Sequence, residues 1–199
     1  MVCAVTTAAT ATTTPWLGHL GPVPVPTMLA KAELDYLSWL AAQRDGRICE
    51  LGCFLGGSTW DLAVGRAMRP DAAALAPILT YDAFEMDKET ATQFPVGYAA
   101  GESFRPLFER YLAPHLPRIV VREGFIPGDL PVEREPEIYP EQGPIEILFN
   151  DAAKTWLVHN TILRCFGRHL IPGRSVLVQQ DFKHFGGYWI PLHMWQLRE

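Results

Sequence analysis

Five short runs of apolar and often β-branched residues recur along the chain, and each run ends at or near a polar residue. The runs are, in chain order, GRICEL, ILTYDAF, RIVVREG, IEILFNDA and SVLVQQDF, between positions 46 and 182. Apolar runs of about four to eight residues, bounded by turn residues, are typical of strands that are buried on both faces. The pattern therefore predicts five β-strands.

Segments with helical periodicity separate these runs. Apolar residues recur every three or four positions after Thr27, a candidate N-cap, and again in GSTWDLAVGRAM, in Phe104–Leu112 and in KTWLVHNTILRCFGRHL. Residues 85–101 and 125–143 are polar, carry Pro and Gly, and are predicted to form long loops. The alternation predicts a Rossmann-like, doubly wound α/β fold, with a mostly parallel sheet and helices on both faces.

Composition and charge narrow the classes of function. The chain has 199 residues and a net charge of −5, which does not favour nucleic-acid binding. Apolar runs are all shorter than the roughly 18 residues of a membrane span. Residues 1–27, biased to Thr, Ala and Pro, are predicted to be a flexible arm, and residues 28–199 a single domain. Four cysteines without metal-ligand spacing indicate buried free thiols in a reducing cytoplasm.

The stretch ELGCFLGGST, residues 50–59, joins the first predicted strand to a predicted helix. Its spacing differs from the dinucleotide-binding motif G-x-G-x-x-G, because Phe54 stands where the middle glycine would be. It also lacks the Lys-Ser/Thr pair of a phosphate-binding loop. An acid at the end of the second strand, Asp82, suits the two hydroxyl groups of a ribose.

Together, ELGCFLGGST and DAFE resemble the motifs of class I S-adenosylmethionine-dependent methyltransferases, closest to the macrocin O-methyltransferase-like family. The resemblance implies that Gly52 and Gly56 wrap the methionine part of S-adenosyl-L-methionine. It also implies that Glu50 lies near the charged amino acid end of this cofactor and that Asp82 binds its ribose.

Acids at the ends of the fourth and fifth strands extend the resemblance. In the metal-dependent members of that family such acids bind Mg²⁺, and the strand-four acid is also the general base. The matching residues are Asp151 and Asp181. Gln180 stands where the family commonly has a further acid, and an amide brings no charge. The resemblance therefore leaves open whether a metal binds.

Four further residues have two interpretations each. Ser58 contacts the cofactor or caps a helix, and Phe84 flanks the adenine or packs in the core. His184 is a second candidate base or an exposed loop residue. Lys154 orients an acidic substrate or, the safer interpretation, is a solvated helix lysine. His159 is expected at the surface.

We expect an enzyme that O-methylates a small-molecule hydroxyl group, on a sugar or another natural product. Sugar, polyketide, phenol and aminocoumarin acceptors all stay open. The alternatives are a non-catalytic protein of the same fold and a nicotinamide-dependent oxidoreductase. Sheets of the resembled family usually end with a sixth strand and an antiparallel seventh, and residues 183–199 are too few for both. The exposed edge would favour a homodimer.

Overall fold

The computed structural model describes residues 16, 18, 21–182 and 188–196, and it contains a five-stranded sheet flanked by helices. The strands coincide with the five predicted runs. They are β1 Ile48–Leu51, β2 Ile78–Asp82, β3 Ile119–Glu123, β4 Ile147–Asn150 and β5 Val176–Gln179. The helices are α1 Lys31–Gln43, α2 Gly57–Ala67, α3 Lys88–Gln93, α4 Arg105–Leu112, α5 Glu135–Ile138, α6 Trp156–Cys165 and α7 Trp189–Gln196.

The strand order is β3-β2-β1-β4-β5, and every neighbouring pair is parallel. The chain runs outward from β1 to β3 and then crosses back to place β4 on the other side of β1. This reversal leaves a crevice above the carboxyl ends of β1 and β4, where open α/β sheets bind ligands. The predicted doubly wound, parallel α/β fold is confirmed.

Two hydrophobic cores cover the two faces of the sheet. Side chains alternate between the faces along each strand, so Ile48 and Ile147 join one core while Cys49 and Leu148 join the other. All four are almost completely buried. Burial on both faces explains why the strands are continuous apolar runs rather than alternating ones.

The end of the predicted flexible arm packs on the domain. Val25 is buried in the first core, and the Trp16 ring lies edge-on to Tyr36 with 5.0 Å between centroids. Thr27 is not the N-cap of α1. That position belongs to Ala30, whose backbone N–H donates to the Glu33 carboxylate. Trp16 and Val25 of the predicted arm thus contact the domain.

Both predicted long loops contain short helices. The first holds α3, for which Asp87 is the N-cap and accepts the Thr90 backbone N–H at 2.9 Å. The second holds α5. Among residues 21–182 and 188–196 no strand pairs with the outer side of β5. No helix in the same ranges has both the length and the apolar character needed to cross a membrane.

Candidate functional site

A cavity of about 390 Å³ opens at the carboxyl edge of the sheet. This volume is within the usual range for small-molecule sites. Its walls come mainly from the segments that follow the first four strands: Gly52 and Phe54 after β1; Ala83, Glu85, Met86 and Asp87 after β2; Gly124, Phe125 and Ile126 after β3; Asp151, Ala152 and Lys154 after β4. The carboxyl ends of the first four strands therefore surround one concave site.

The two predicted glycines have different roles. Gly52 lines the cavity with φ +82°, and a Cβ there would lie 3.0 Å from the carbonyl carbon of Asp151. Gly56 is the N-cap of α2 with φ +95°, and a Cβ there would lie 2.2 Å from Leu112 Cδ2. Both positions require glycine, because other residues would be strained and crowded. Only Gly52 borders the cavity.

Asp82 links two of the cavity walls. Its Oδ2 accepts the backbone N–H groups of Cys53 at 2.8 Å and Phe54 at 2.9 Å, and its Oδ1 accepts that of Phe84 at 2.8 Å. A carboxylate has about four acceptor positions, so one is left for a ligand hydroxyl. The Asp82 carboxylate lines the cavity, as expected for a ribose-binding acid, and also fixes the turn after β1.

Glu50 does not lie where the resemblance placed it. Its side chain is completely buried beneath the first turn of α2, one residue inside the end of β1. The carboxylate accepts hydrogen bonds from the hydroxyl groups of Ser58, Thr59 at 2.6 Å and Thr80 at 2.7 Å. Burial raises the pKa of Glu50 to about 7, although the three hydroxyl groups oppose the shift. Glu50 therefore anchors α2 to the sheet and does not line the cavity.

Phe84 packs in the core, which is one of its two predicted interpretations, whereas Ser58 is not the N-cap of α2. Ser58 lies within α2, and its hydroxyl bonds Glu50 rather than capping the helix. It borders only a small cleft beside the main cavity. The Phe84 ring is completely buried against Phe104 and Phe108, with centroids 5.5 and 5.2 Å away. Phe84 does not line the cavity, and its backbone is left-handed, with φ +52°.

Sequence reasoning missed several cavity residues. Phe125 is 72% exposed, immediately after Gly124, and its side chain lines the cavity beside Ile126. Tyr81 lines the same wall, and its hydroxyl donates to Glu141 at 2.9 Å. The available signal was the aromatic in REGF, directly after the third strand, where parallel topology brings side chains to the rim.

Asp151 and Asp181 meet through Lys154. The Lys154 ammonium donates to Asp151 Oδ1 at 2.7 Å and to Asp181 Oδ2 at 3.0 Å. Burial raises the pKa of Asp151 to about 6; Lys154 opposes this shift and Asp181 adds to it. Thr155 is the N-cap of α6, so Asp151 has no capping role there.

Lys154 lies before α6 and not in a helix; its side chain is solvent-exposed, as expected, but forms ion pairs with two acids. The second candidate base, His184, lies outside the described residues.

The two expected Mg²⁺ ligands, Asp151 and Asp181, lie on either side of the Lys154 ammonium group, without a third ligand beside them. The described ranges contain no cluster of three acidic, histidine or cysteine side chains that could hold a metal. Gln180 borders a separate cleft next to α1, with Glu33 and Leu37. Two carboxylates are present, but both already bind an ammonium group, so the residues do not fit a divalent cation as they stand.

His159 is completely buried, so its predicted surface position is wrong. Its Nδ1 lies 3.2 Å from Nδ1 of His193 on α7, and its Nε2 has no partner among the described residues. Burial, with a smaller contribution from His193, lowers the pKa of His159 to about 4. The Trp156 ring stacks on His193 with centroids 4.0 Å apart, outside the cavity.

Comparison with solved structures identifies the architecture. The calicheamicin methyltransferase CalS11 superposes with a TM-score of 0.57 and 17% identity, over 83% of this chain and 68% of that chain. This chain has the class I methyltransferase fold. An apo structure of CalS11 is described as a TDP-rhamnose 3'-O-methyltransferase of calicheamicin biosynthesis. It superposes with a TM-score of 0.56 at 16% identity, over 83% of this chain and 67% of that chain.

The methyltransferase fold is shared with a protein from Staphylococcus aureus assigned as a caffeoyl-CoA O-methyltransferase. The TM-score is 0.55 at 15% identity, over 88% of this chain and 77% of that chain. No protein-family model matches the chain, and no curated protein sequence matches it significantly. At these identities, the similarity establishes the fold.

Proposed function

We propose that this protein is an S-adenosylmethionine-dependent methyltransferase that transfers a methyl group to a hydroxyl group of a small molecule. One observation carries the proposal: a single cavity is bounded by the glycine turn, by Asp82 and by the Asp151–Lys154 pair. The first two suit the cofactor, and the third suits an acceptor that must lose a proton.

Two of the cavity walls fit the cofactor. Gly52 allows close approach of the backbone, and Asp82 presents a carboxylate with one free acceptor position to a ribose hydroxyl. Apolar side chains at Phe125 and Ile126 offer a surface for a planar base. S-adenosylmethionine, when bound, supplies a methyl group that its sulfonium already activates.

Asp151 is the proposed general base. With S-adenosylmethionine bound, its methyl group would pass to the acceptor oxygen as the carbon–sulfur bond breaks, and the electron pair of that bond would stay on sulfur. The acceptor proton passes to Asp151. A pKa of about 6 makes this carboxylate more basic than an ordinary aspartate, yet leaves it ionised at neutral pH.

The acceptor is proposed to be a sugar or another natural product. The similar structures include a TDP-rhamnose 3'-O-methyltransferase and a protein assigned as a caffeoyl-CoA O-methyltransferase. A nicotinamide cofactor fits less well, because Phe54 occupies the place where a dinucleotide-binding turn has glycine.

Calorimetry of the full chain with S-adenosylhomocysteine tests the proposal. We expect micromolar binding, and in Asp82→Ala an affinity lower by about tenfold or more, because the ribose loses its acceptor. Asp82→Ala should also lower the free energy of unfolding by about 1–3 kcal/mol, since three backbone N–H groups lose their hydrogen-bond acceptor.

The matched control is Asp87→Ala, which removes another cavity-lining acid that caps α3. It should lower stability by about 1 kcal/mol and keep most of the affinity. Absence of binding at millimolar ligand would contradict the proposal and support the non-catalytic alternative. Binding of NADH in its place would support the oxidoreductase.

A further inference from the structure

Three charged side chains meet where the metal-dependent family would hold Mg²⁺. Lys154 lies on the segment between β4 and α6, lines the cavity and is 63% exposed. Its ammonium is the shared partner of Asp151 and Asp181, which are 25% and 35% exposed. The arrangement is therefore reachable by solvent, by a metal ion and by an acceptor.

The Lys154 ammonium group is held at this position by both carboxylates. Its Nζ lies 2.7 Å from Asp151 Oδ1 and 3.0 Å from Asp181 Oδ2. A lysine side chain carries a positive charge over the physiological pH range. A divalent cation on the same carboxylates would lie within a few ångströms of it, where like charges repel strongly.

We propose that the Lys154 ammonium takes the place of the divalent cation at this site, so that the protein neither binds nor needs Mg²⁺. The role of this ammonium group in catalysis rests on the proposed function. An ammonium has three N–H donors, and Asp151 and Asp181 account for two. The third can donate to the acceptor oxygen and favour its loss of a proton to Asp151.

Direct titration with Mn²⁺, followed by electron paramagnetic resonance and calorimetry, tests this inference on the full chain. The wild type should bind Mn²⁺ no better than millimolar. Lys154→Met leaves Asp151 and Asp181 without a cation and should bind Mn²⁺ at least about tenfold more tightly. Adding Asp181→Asn should abolish that gain, and Lys154→Arg should keep the wild-type behaviour because the charge remains.

Lys88→Met is the matched control, since this exposed lysine on α3 has no ion pair with Asp151 or Asp181. It should leave Mn²⁺ binding unchanged. Circular dichroism checks folding, and Lys154→Gln replaces Lys154→Met if the latter is unfolded.

Two outcomes would overturn the inference. In one, the wild type binds Mn²⁺ as tightly as Lys154→Met, so the ammonium does not exclude metal. In the other, neither Lys154→Met nor Lys154→Gln binds it, so the two carboxylates are no cation site. These titrations do not involve the cofactor, so failure to bind S-adenosylhomocysteine would overturn the proposed function alone.

Discussion

At the scale of single residues, Glu50 shows how a buried carboxyl group responds to its surroundings. Its pKa of about 7 lies above the usual glutamate value of 4.5 because burial disfavours the charged form, and nearby Asp82 adds to the shift. Between these two pH values the folded state holds a proton that the unfolded chain releases. Glu50 therefore lowers stability as pH rises from about 4.5 to about 7.

Glu50→Gln should remove this dependence. The variant keeps the shape of the side chain but cannot ionise, so its stability relative to the wild type should improve by up to about 3 kcal/mol between pH 4.5 and pH 7.5. Urea denaturation at both pH values measures the difference. Glu133→Gln, at an exposed position, is the control and should show no such change. If the stability difference between Glu50→Gln and the wild type is the same at pH 4.5 and pH 7.5, the raised pKa of Glu50 is contradicted.

The position of an acid relative to the end of its strand decides whether it reaches the cavity. The sequence does not show where each strand ends. Asp82 is the last residue of β2 and Asp151 follows β4, so both reach the rim. Glu50 is one residue inside β1 and is covered by α2. The sequence also did not show that the Phe84 side chain lies in the core, at a residue with a left-handed backbone. Residue type predicted the chemistry of the rim but not the direction of each side chain.

At the scale of elements, α1 and α2 cross at unusually close range. A Cβ on Gly65 of α2 would lie 2.0 Å from the backbone oxygen of Ser38 on α1. No side-chain rotation relieves contact with a backbone atom, so a larger residue would force the helices apart. The crossing holds the helix that begins at the glycine turn against the sheet.

Gly65→Ala tests which of two effects dominates there. Alanine would stabilise an isolated helix by about 1 kcal/mol relative to glycine. Overpacking typically costs about 1–3 kcal/mol, and here the backbone must shift, so we expect a net loss of about 2 kcal/mol in urea denaturation. Gly167→Ala is the control, because a Cβ there meets only Leu163, at 3.9 Å or more. A gain in stability for Gly65→Ala would show that the helices can move apart freely.

The elements themselves were largely predictable. Burial on both faces left continuous apolar runs for all five strands, and α2 and α6 showed clear periodicity. The helices α3 and α5 have six and four residues, too few for a periodic pattern to emerge. Their caps and prolines instead indicated loops.

At the scale of the whole molecule, a buried acid and a buried base change stability in opposite directions as the pH changes. His159 has a pKa of about 4, below the usual 6.5, because burial and His193 disfavour its charged form. The unfolded chain therefore binds a proton that the folded state does not, and stability falls as pH drops from about 6.5 to about 4. Glu50 has the reverse effect over much of the same range.

His159→Asn should reveal this opposition. The wild type loses free energy of unfolding from this group between pH 7 and pH 4.5. Without the imidazole, that loss should be smaller by about 2–3 kcal/mol. Combining the change with Glu50→Gln should leave a flatter profile than either single variant gives. Thermal or urea unfolding across this pH range measures both. The same acid sensitivity in His159→Asn as in the wild type would assign the effect to other groups.

Three of the four non-glycine residues with positive φ in the described chain follow the ends of strands: Phe54, Phe84 and Asp181. Such conformations typically cost about 1 kcal/mol or more each. Glycine at Phe54 or Phe84 would lose an aromatic ring that packs on Phe104, and this loss outweighs the strain that is relieved. At Asp181 glycine would relieve the strain without loss of a core side chain, but it would also remove the carboxylate that pairs with Lys154. Selection for stability alone can therefore remove a charged group of the rim, and thermostable variants need screening for ligand binding as well as for melting temperature.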